Sequence, residues 1–246
     1  MNIEATSTTL LQGLRKLGVV PGDVLFVHSS FKSLGPVEGG AEAVISALEN
    51  AVGPEGLLLM PSFNLVDRDK RAECWNIRET PSTVGWITEV FRRMPSTHRS
   101  DHYSHSVAAR GKDAKAFVAD HLSQEGYGSP WDLAPWGKTF GECSPMVQAY
   151  KRSGKLLMLG VDYFTSTYIH FVEVIYWHRL LAQNPAAAFP RLDRLILGEF
   201  WDRTGQLQRG YINEAPCRLF GIQPYVDGLV QEVECNPEPY MIRNRN

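Results

Sequence analysis

The sequence predicts an α/β fold built on a mostly parallel sheet with helices on both faces. Three observations predict it. The first sixty residues read helix, strand, helix, strand; the strands are short and apolar throughout; and a third such strand, Lys155 to Val161 (KLLMLGV), returns late in the chain. Continuous apolar runs suit strands buried on both faces, and the intervening helices supply the crossovers that parallel pairing needs.

Taken in order, Leu10, Leu11, Leu14 and Leu17 recur at helical spacing over Thr6 to Leu17, Thr6 to Thr9 offer N-caps, and Gly18 stands where a helix ends. Pro21-Gly22-Asp23 reads as a turn into the strand Val24 to Val27. Gly39 and Gly40 precede a helix, Ala41 to Ala51, with Val44, Ile45 and Leu48 on one face. The turn Gly53-Pro54-Glu55-Gly56 leads to the strand Leu57 to Phe63, LLLMPSF. Asn64 to Pro81 is polar and mixed and reads as a long loop, flexible or substrate-facing. Ser82 to Arg93 reads as a helix with Val84, Ile87, Val90 and Phe91 inward and Pro95 closing it. Arg99 to Gly111 reads as a loop dense in hydrogen-bonding groups, Ala114 to Leu122 as a short helix, Gly126 to Pro135 as turns, and Cys143 to Tyr150 as a helix without a clear cap. After the third strand, DYFTSTYIHFVEVIYWHRL passes from loop to helix. From Asn184 onward, LILGEFWD and the stretch around Tyr211 read as further strands with weak boundaries. No repeat or linker divides the chain, so residues 1–246 read as one domain.

Composition excludes several classes. With 43% hydrophobic residues, 21% charged and a net charge of -2, the chain has neither a nucleic-acid footprint nor a polyanionic tail. Cys74, Cys143, Cys217 and Cys235 form no CxxC pair and read as reduced thiols of a cytoplasmic protein. The start MNIEATSTTLLQGL is no signal peptide, and no apolar run approaches the roughly 20 residues of a membrane span.

Three strands release the chain into polar loops, HSSFKSLG, PSFN and DYFTSTYIH, and in parallel sheets ligands bind beyond the carboxyl ends of strands. In the first loop, the hydroxyls of Ser29, Ser30 and Ser33 and the amides near Gly35 and Gly39-Gly40 suit a phosphate, with Lys32 as a point charge. Neither GxxxxGK[ST] nor GxGxxG occurs, and a Ser-rich turn satisfies the same pattern. His170 and Glu173 lie three apart on one helical face. A carboxylate there fixes the imidazole tautomer and leaves the other nitrogen as a base, with the Thr167 hydroxyl on the same side; an ordinary surface His–Glu pair is the plainer alternative. The cluster Arg99, Ser100, His102, Ser104, His105, Ser106 either contacts a ligand or bonds itself. A metal-dependent hydrolase using His98, His102 and His105 is a separate reading, though further ligands with useful spacing are missing.

Five segments, in order, resemble the antibiotic N-acetyltransferase family of aminoglycoside 3-N-acetyltransferases: LGVVPGDVLFVHSSFKSLGPVEGG, AVGPEGLLLMPSF, TPSTVGWITEVFRRMP, RSDHYSHSVAARG, and GKLLMLGV followed by TSTYIHFVE. The resemblance covers roughly residues 10 to 180. It implies a three-layer α/β/α sandwich and acetyl transfer from acetyl-CoA to a primary amine without a metal. It implies that His28, Ser29, Ser30, Lys32, Ser33, Leu34, Gly35, Val37, Gly39 and Gly40 touch the pantetheine and phosphates, with Ser104 and Ser106 nearby. It makes His170 the catalytic histidine and Glu173 its orienting acid, with Thr167 or an amide near Ser30 as oxyanion donor and direct transfer without an acyl-enzyme. The chain departs from the family at His102-Tyr103, where His-Pro is usual, which puts an aromatic near the acceptor, and at Ser166-Thr167, where Asn-Thr is frequent. A polycationic acceptor needs acids, for which Asp67, Asp69, Glu73 and Glu79 are candidates, but Arg68, Lys70, Arg71 and Arg78 interleave with them. An amino sugar on a nucleotide or a small phosphonate-bearing amine is the alternative acceptor, and a silent acetyl-CoA-binding module the alternative function. The expected assembly is a monomer or homodimer.

Overall fold

The first helix, Ser7–Leu17 (α1), forms where its ends are chemically satisfied. Thr6 accepts from the Thr9 amide, the Thr9 hydroxyl accepts from the Thr6 amide, and Gly18 closes the helix in the left-handed region. The same logic runs through a computed structural model that describes residues 4–66 and 68–242. After α1 come the strand Val24–Ser29 (β1), the helix Gly40–Val52 (α2), the strand Leu57–Pro61 (β2) and the helix Trp86–Arg93 (α3). Next are His98–Arg99 (β3), Val107–Gly111 (β4), the helix Ala114–Ala119 (α4), and a small ribbon of Gly126–Tyr127 (β5) with Phe140–Gly141 (β6). The helix Pro145–Lys151 (α5) precedes Lys155–Leu159 (β7), then Tyr168–Gln183 (α6), Arg194–Thr204 (α7), Gln208–Ile212 (β8), Ala215–Gly221 (β9) and Ile222–Cys235 (α8).

The main sheet has the order β3-β4-β2-β1-β7-β9-β8. Its centre, β2-β1-β7, is parallel, with Phe26 opposite Leu59 and His28 opposite Met158. The pairs on either flank are antiparallel. Strand alternation then divides the core. Leu25, Val27, Leu58, Met60, Leu157 and Leu159 pack with α1, α2 and α3, while Phe26, Leu57, Leu59, Leu156 and Met158 pack with α4 to α8. The result is helix layers on both faces, the expected three-layer α/β arrangement.

Several local expectations change. LILGEFWD is not a strand but most of α7. Asp193 caps that helix by accepting from the Leu195 and Ile196 amides, Trp201 is fully buried, and Gly198 lies flat against the Tyr163 ring where any Cβ would collide. The apolar run from Ile222 belongs to α8, and among the described residues of the last third only β8 and β9 are strands. The helix expected from Ser82 starts at Trp86, because the Ser82 amide donates to Glu89 Oε2 and Gly85 takes φ 144° ahead of the first turn. Arg99 to Gly111 contains β4, whose buried face reads Val107, Ala108, Ala109 before Arg110 and Gly111 obscure the pattern. The α5 helix does have a cap: the Ser144 hydroxyl accepts from the Val147 amide, with Pro145 at the first position. Among the described residues, no helix is long and apolar enough to cross a membrane.

Candidate active site

The carboxyl ends of the parallel strands open into a cavity of about 800 Å³, a size that suits an extended small-molecule ligand. β1 contributes His28, β2 contributes Pro61, and the segment after β7 contributes Thr165, Thr167, His170 and Glu173. Parity along β1 explains the first of these. His28 follows Phe26 in pointing toward the α6 layer, whereas Ser29 follows Leu25 and Val27 toward the opposite face. The two neighbours in the HSS motif therefore serve different sides of the sheet.

On α6, His170 and Glu173 meet as their spacing requires. His170 Nδ1 lies 2.6 Å from Glu173 Oε2, and Glu173 Oε1 accepts from the Leu192 amide at 2.8 Å. Glu173 is only 4% exposed, so both oxygens are committed and its carboxylate is fixed. Arg194, the first residue of α7, places its guanidinium 2.6 Å from His170 Nε2. A guanidinium only donates, so Nε2 carries a lone pair and Nδ1 carries the proton given to Glu173. His170 is thus oriented with Nδ1 on Glu173 and Nε2 turned toward the cavity, where the Arg194 guanidinium covers it. Trp131 and His105 pack edge-on against the imidazole, with ring centres 4.8 and 6.0 Å away.

His28 is buried, and burial together with the nearby Arg194 charge lowers its pKa to about 3, so it is neutral. Its Nε2 sits 3.1 Å from the Thr167 hydroxyl. His105 also lines the cavity. Burial and the neighbouring His170, His102 and His121 push its pKa well down, and its Nδ1 is 2.9 Å from the Ser104 hydroxyl.

The other residues singled out in the sequence occupy different places. Ser30 is half-buried, its amide donating to Leu159 O. Lys32 is exposed at the start of a short 3-10 turn. Ser33 donates to Gly160 O, Leu34 is fully buried, Gly35 abuts the Glu214 carboxylate, and Val37 bridges to Ala5. Gly39 and Gly40 take positive φ to open α2. None of these residues from Ser29 to Gly40 lines the cavity. Ser106 donates to Ser100 O and accepts from Arg99 Nε, fully buried. His102 accepts at Nδ1 from the Ser104 and His105 amides and stacks on His121 and Tyr103, and Tyr103 donates to Trp131 O. Asp67 lies outside the described residues; Glu73 is exposed away from the cavity. Glu79 lines a separate open cleft of about 870 Å³ with Arg78, Arg93 and His98. Among the described residues, no three His, Cys, Asp or Glu side chains converge closely enough to hold a metal ion.

Sequence reasoning missed Arg191, Arg194, Trp131 and Phe189 in the lining. They arrive from outside the matching motifs, and only the Asp193 cap just ahead of Arg194 hinted at a helix start there.

The family model for aminoglycoside 3-N-acetyltransferase matches residues 26–234. The chain belongs to this family. It is 29% identical over 257 residues to the SPbeta prophage-derived aminoglycoside N(3')-acetyltransferase-like protein YokD of Bacillus subtilis, covering 90% of each chain. It is 34% identical over 175 residues to aminoglycoside N(3)-acetyltransferase IV of a Salmonella species, a match that spans 71% of this chain and 61% of that enzyme. The crystal structure of apo aminoglycoside acetyltransferase AAC(3)-IVa superposes with a TM-score of 0.77 at 28% identity, covering 96% of this chain and 91% of that one. The fold is also that of AAC-IIIb, solved as a binary complex with CoASH, at a TM-score of 0.75, 23% identity and coverage of 95% and 97%. By family, this chain is an N-acetyltransferase with acetyl-CoA as the expected co-substrate.

Proposed function

We propose that the chain transfers acetyl from acetyl-CoA directly to a primary amine in the His170 cavity, with His170 as general base and Glu173 as its orienting acid. The observation that carries this reading is the pairing of His170 Nδ1 with Glu173 Oε2 at 2.6 Å, which turns Nε2 toward the cavity beneath the Arg194 guanidinium. The apolar wall of Pro61, Phe63, Val84 and Trp131 suits an extended pantetheine arm.

The reaction then balances as follows. The amine nitrogen attacks the thioester carbonyl carbon while His170 Nε2 takes its proton, and Glu173 steadies the resulting imidazolium. The carbonyl oxygen becomes an oxyanion. The Thr167 hydroxyl, 3.1 Å from His28 Nε2, is the donor we assign to it. Collapse breaks the C–S bond, and the imidazolium returns its proton to the leaving thiolate, yielding an amide and coenzyme A. Among the described residues no cysteine lines the cavity, and burial drives the Cys217 pKa up to about 11, which suits direct transfer rather than an acyl-cysteine.

Thiol release from acetyl-CoA against a panel of amines tests the reading. General-base help is worth about 10²–10⁴-fold, so His170→Ala should lose activity by that factor while still binding acetyl-CoA. A variant with full turnover removes the base. Tight acetyl-CoA binding with no turnover of any amine favours a silent binding module.

A further inference from the structure

The charge of the cavity wall runs against a polycationic acceptor. Three arginines line it, Arg71, Arg191 and Arg194, against one carboxylate among the described residues, Glu173, whose two oxygens are already taken by His170 and the Leu192 amide. The acids picked from the sequence are not in the described wall. One arginine stands at the reacting centre itself. Arg194 is anchored by its own helix start and by donation to Phe164 O at 2.8 Å, and its other terminal nitrogen covers His170 Nε2.

Resting on the acetyl-transfer reading above, we propose that the acceptor is an amine that also carries an anionic oxygen group, a carboxylate or a phosphate, and that Arg194 is the residue that recognises it. An amine without such a group meets a guanidinium where its own ammonium must arrive, and the like charges repel. An acceptor with a nearby anion offers the guanidinium a planar, bidentate partner instead. That pairing draws Arg194 away from Nε2, and the lone pair then faces the amine. The acceptor's anion thus both binds and uncovers the base. The phosphates of acetyl-CoA do not account for this arginine. The full pantetheine arm separates them from the thioester, and a guanidinium touching the base sits at the thioester end.

The test uses matched probes with the full chain: glucosamine against glucosamine 6-phosphate for the phosphate arm, β-alaninamide against β-alanine for the carboxylate arm, and gentamicin as the polycation. Thiol release gives kcat/KM, and calorimetry gives the affinity of each amine for the enzyme–CoA complex. The expected result is a preference of about tenfold or more for the anionic member of at least one pair, and for it over gentamicin. In Arg194→Gln that ratio falls toward one while acetyl-CoA affinity holds; Arg194→Lys, which keeps the charge but not the fork, retains part of it. Thermal melting confirms that the variants are folded. Preference for the neutral amines or gentamicin overturns the proposal. So does an Arg194→Gln protein that keeps the discrimination, or one that loses only acetyl-CoA affinity. If no amine is turned over, calorimetry still decides: anion-selective binding that requires Arg194 upholds the recognition site while the acetyl-transfer reading falls, and its absence overturns the site as well.

Discussion

Two regions of this molecule look alike in the sequence and behave oppositely in the structure. The α6 region offers Thr167, His170 and Glu173; the segment after β3 offers Ser100, His102 and Ser106, while its Ser104 and His105 line the cavity. Both are rich in histidine and hydroxyl groups. In the second region the hydrogen-bonding capacity is spent inside the protein. Ser100 accepts from the Val107 amide and pairs with His121 Nδ1, His102 Nε2 reaches Thr139, and Ser106 closes onto Ser100 O. Arg99 adds donors to Ile77 O, Thr80 O and Ser62 O and lies over the Trp75 ring. In the first region the chain is held from behind, by Glu173 and the Leu192 amide, and the front of His170 turns to the cavity beneath the Arg194 guanidinium. Polar density alone does not distinguish a site from a buried brace. The distinguishing feature is a side chain oriented by the protein whose reactive atom still faces the cavity.

Substitutions sharpen that contrast. The largest expected effect is in the open region. Glu173→Gln keeps the shape of the side chain but loses the charge that fixes the His170 tautomer, and steady-state thiol release should fall about 10²–10⁴-fold with the melting temperature nearly unchanged. A variant with wild-type turnover would make the pair an ordinary surface contact. In the closed region the effect moves from rate to stability. Arg99→Ala strands several buried carbonyls and should cost about 3 kcal/mol or more in urea unfolding; an unchanged midpoint would show that the brace is idle.

A smaller effect is expected from acid. Burial keeps His102 and His105 well below the ordinary histidine value of 6.5, His121 at about 4 and His28 at about 3. Such groups take up a proton on unfolding, so their contribution is fully present above pH 6.5. It is lost as pH falls from there toward 4, and toward 3 for His28, by at most about 1.4 kcal/mol per pH unit for each histidine. Urea midpoints at pH 7.5 and 5.5 bracket the start of this loss while most carboxylates stay ionised. A midpoint that holds or rises at pH 5.5 would contradict it.

Much of this arrangement could be read from the sequence, for physical reasons. The β2-β1-β7 centre announced itself because strands buried on both faces need unbroken apolar runs. His170 and Glu173 announced themselves because three residues on one helix fix their contact locally. The α7 helix was misread because LILGEFWD is too short an apolar run to separate helix from strand by period. Ser29 and His28 looked equivalent because a motif does not show which residue faces which layer. Arg194 was invisible because nothing local links it to His170, 24 positions earlier; the Asp193 cap and the packing of α7 bring it there.

The most direct test of the central claim is a crystal structure of the protein with coenzyme A. The account predicts the coenzyme sulfur in the cavity of His28, Thr167 and His170, close enough for a bound amine to bridge the carbonyl position and Nε2 at about 3–3.5 Å. A sulfur seated elsewhere, for instance in the cleft lined by Arg78, Arg93 and His98, would contradict it.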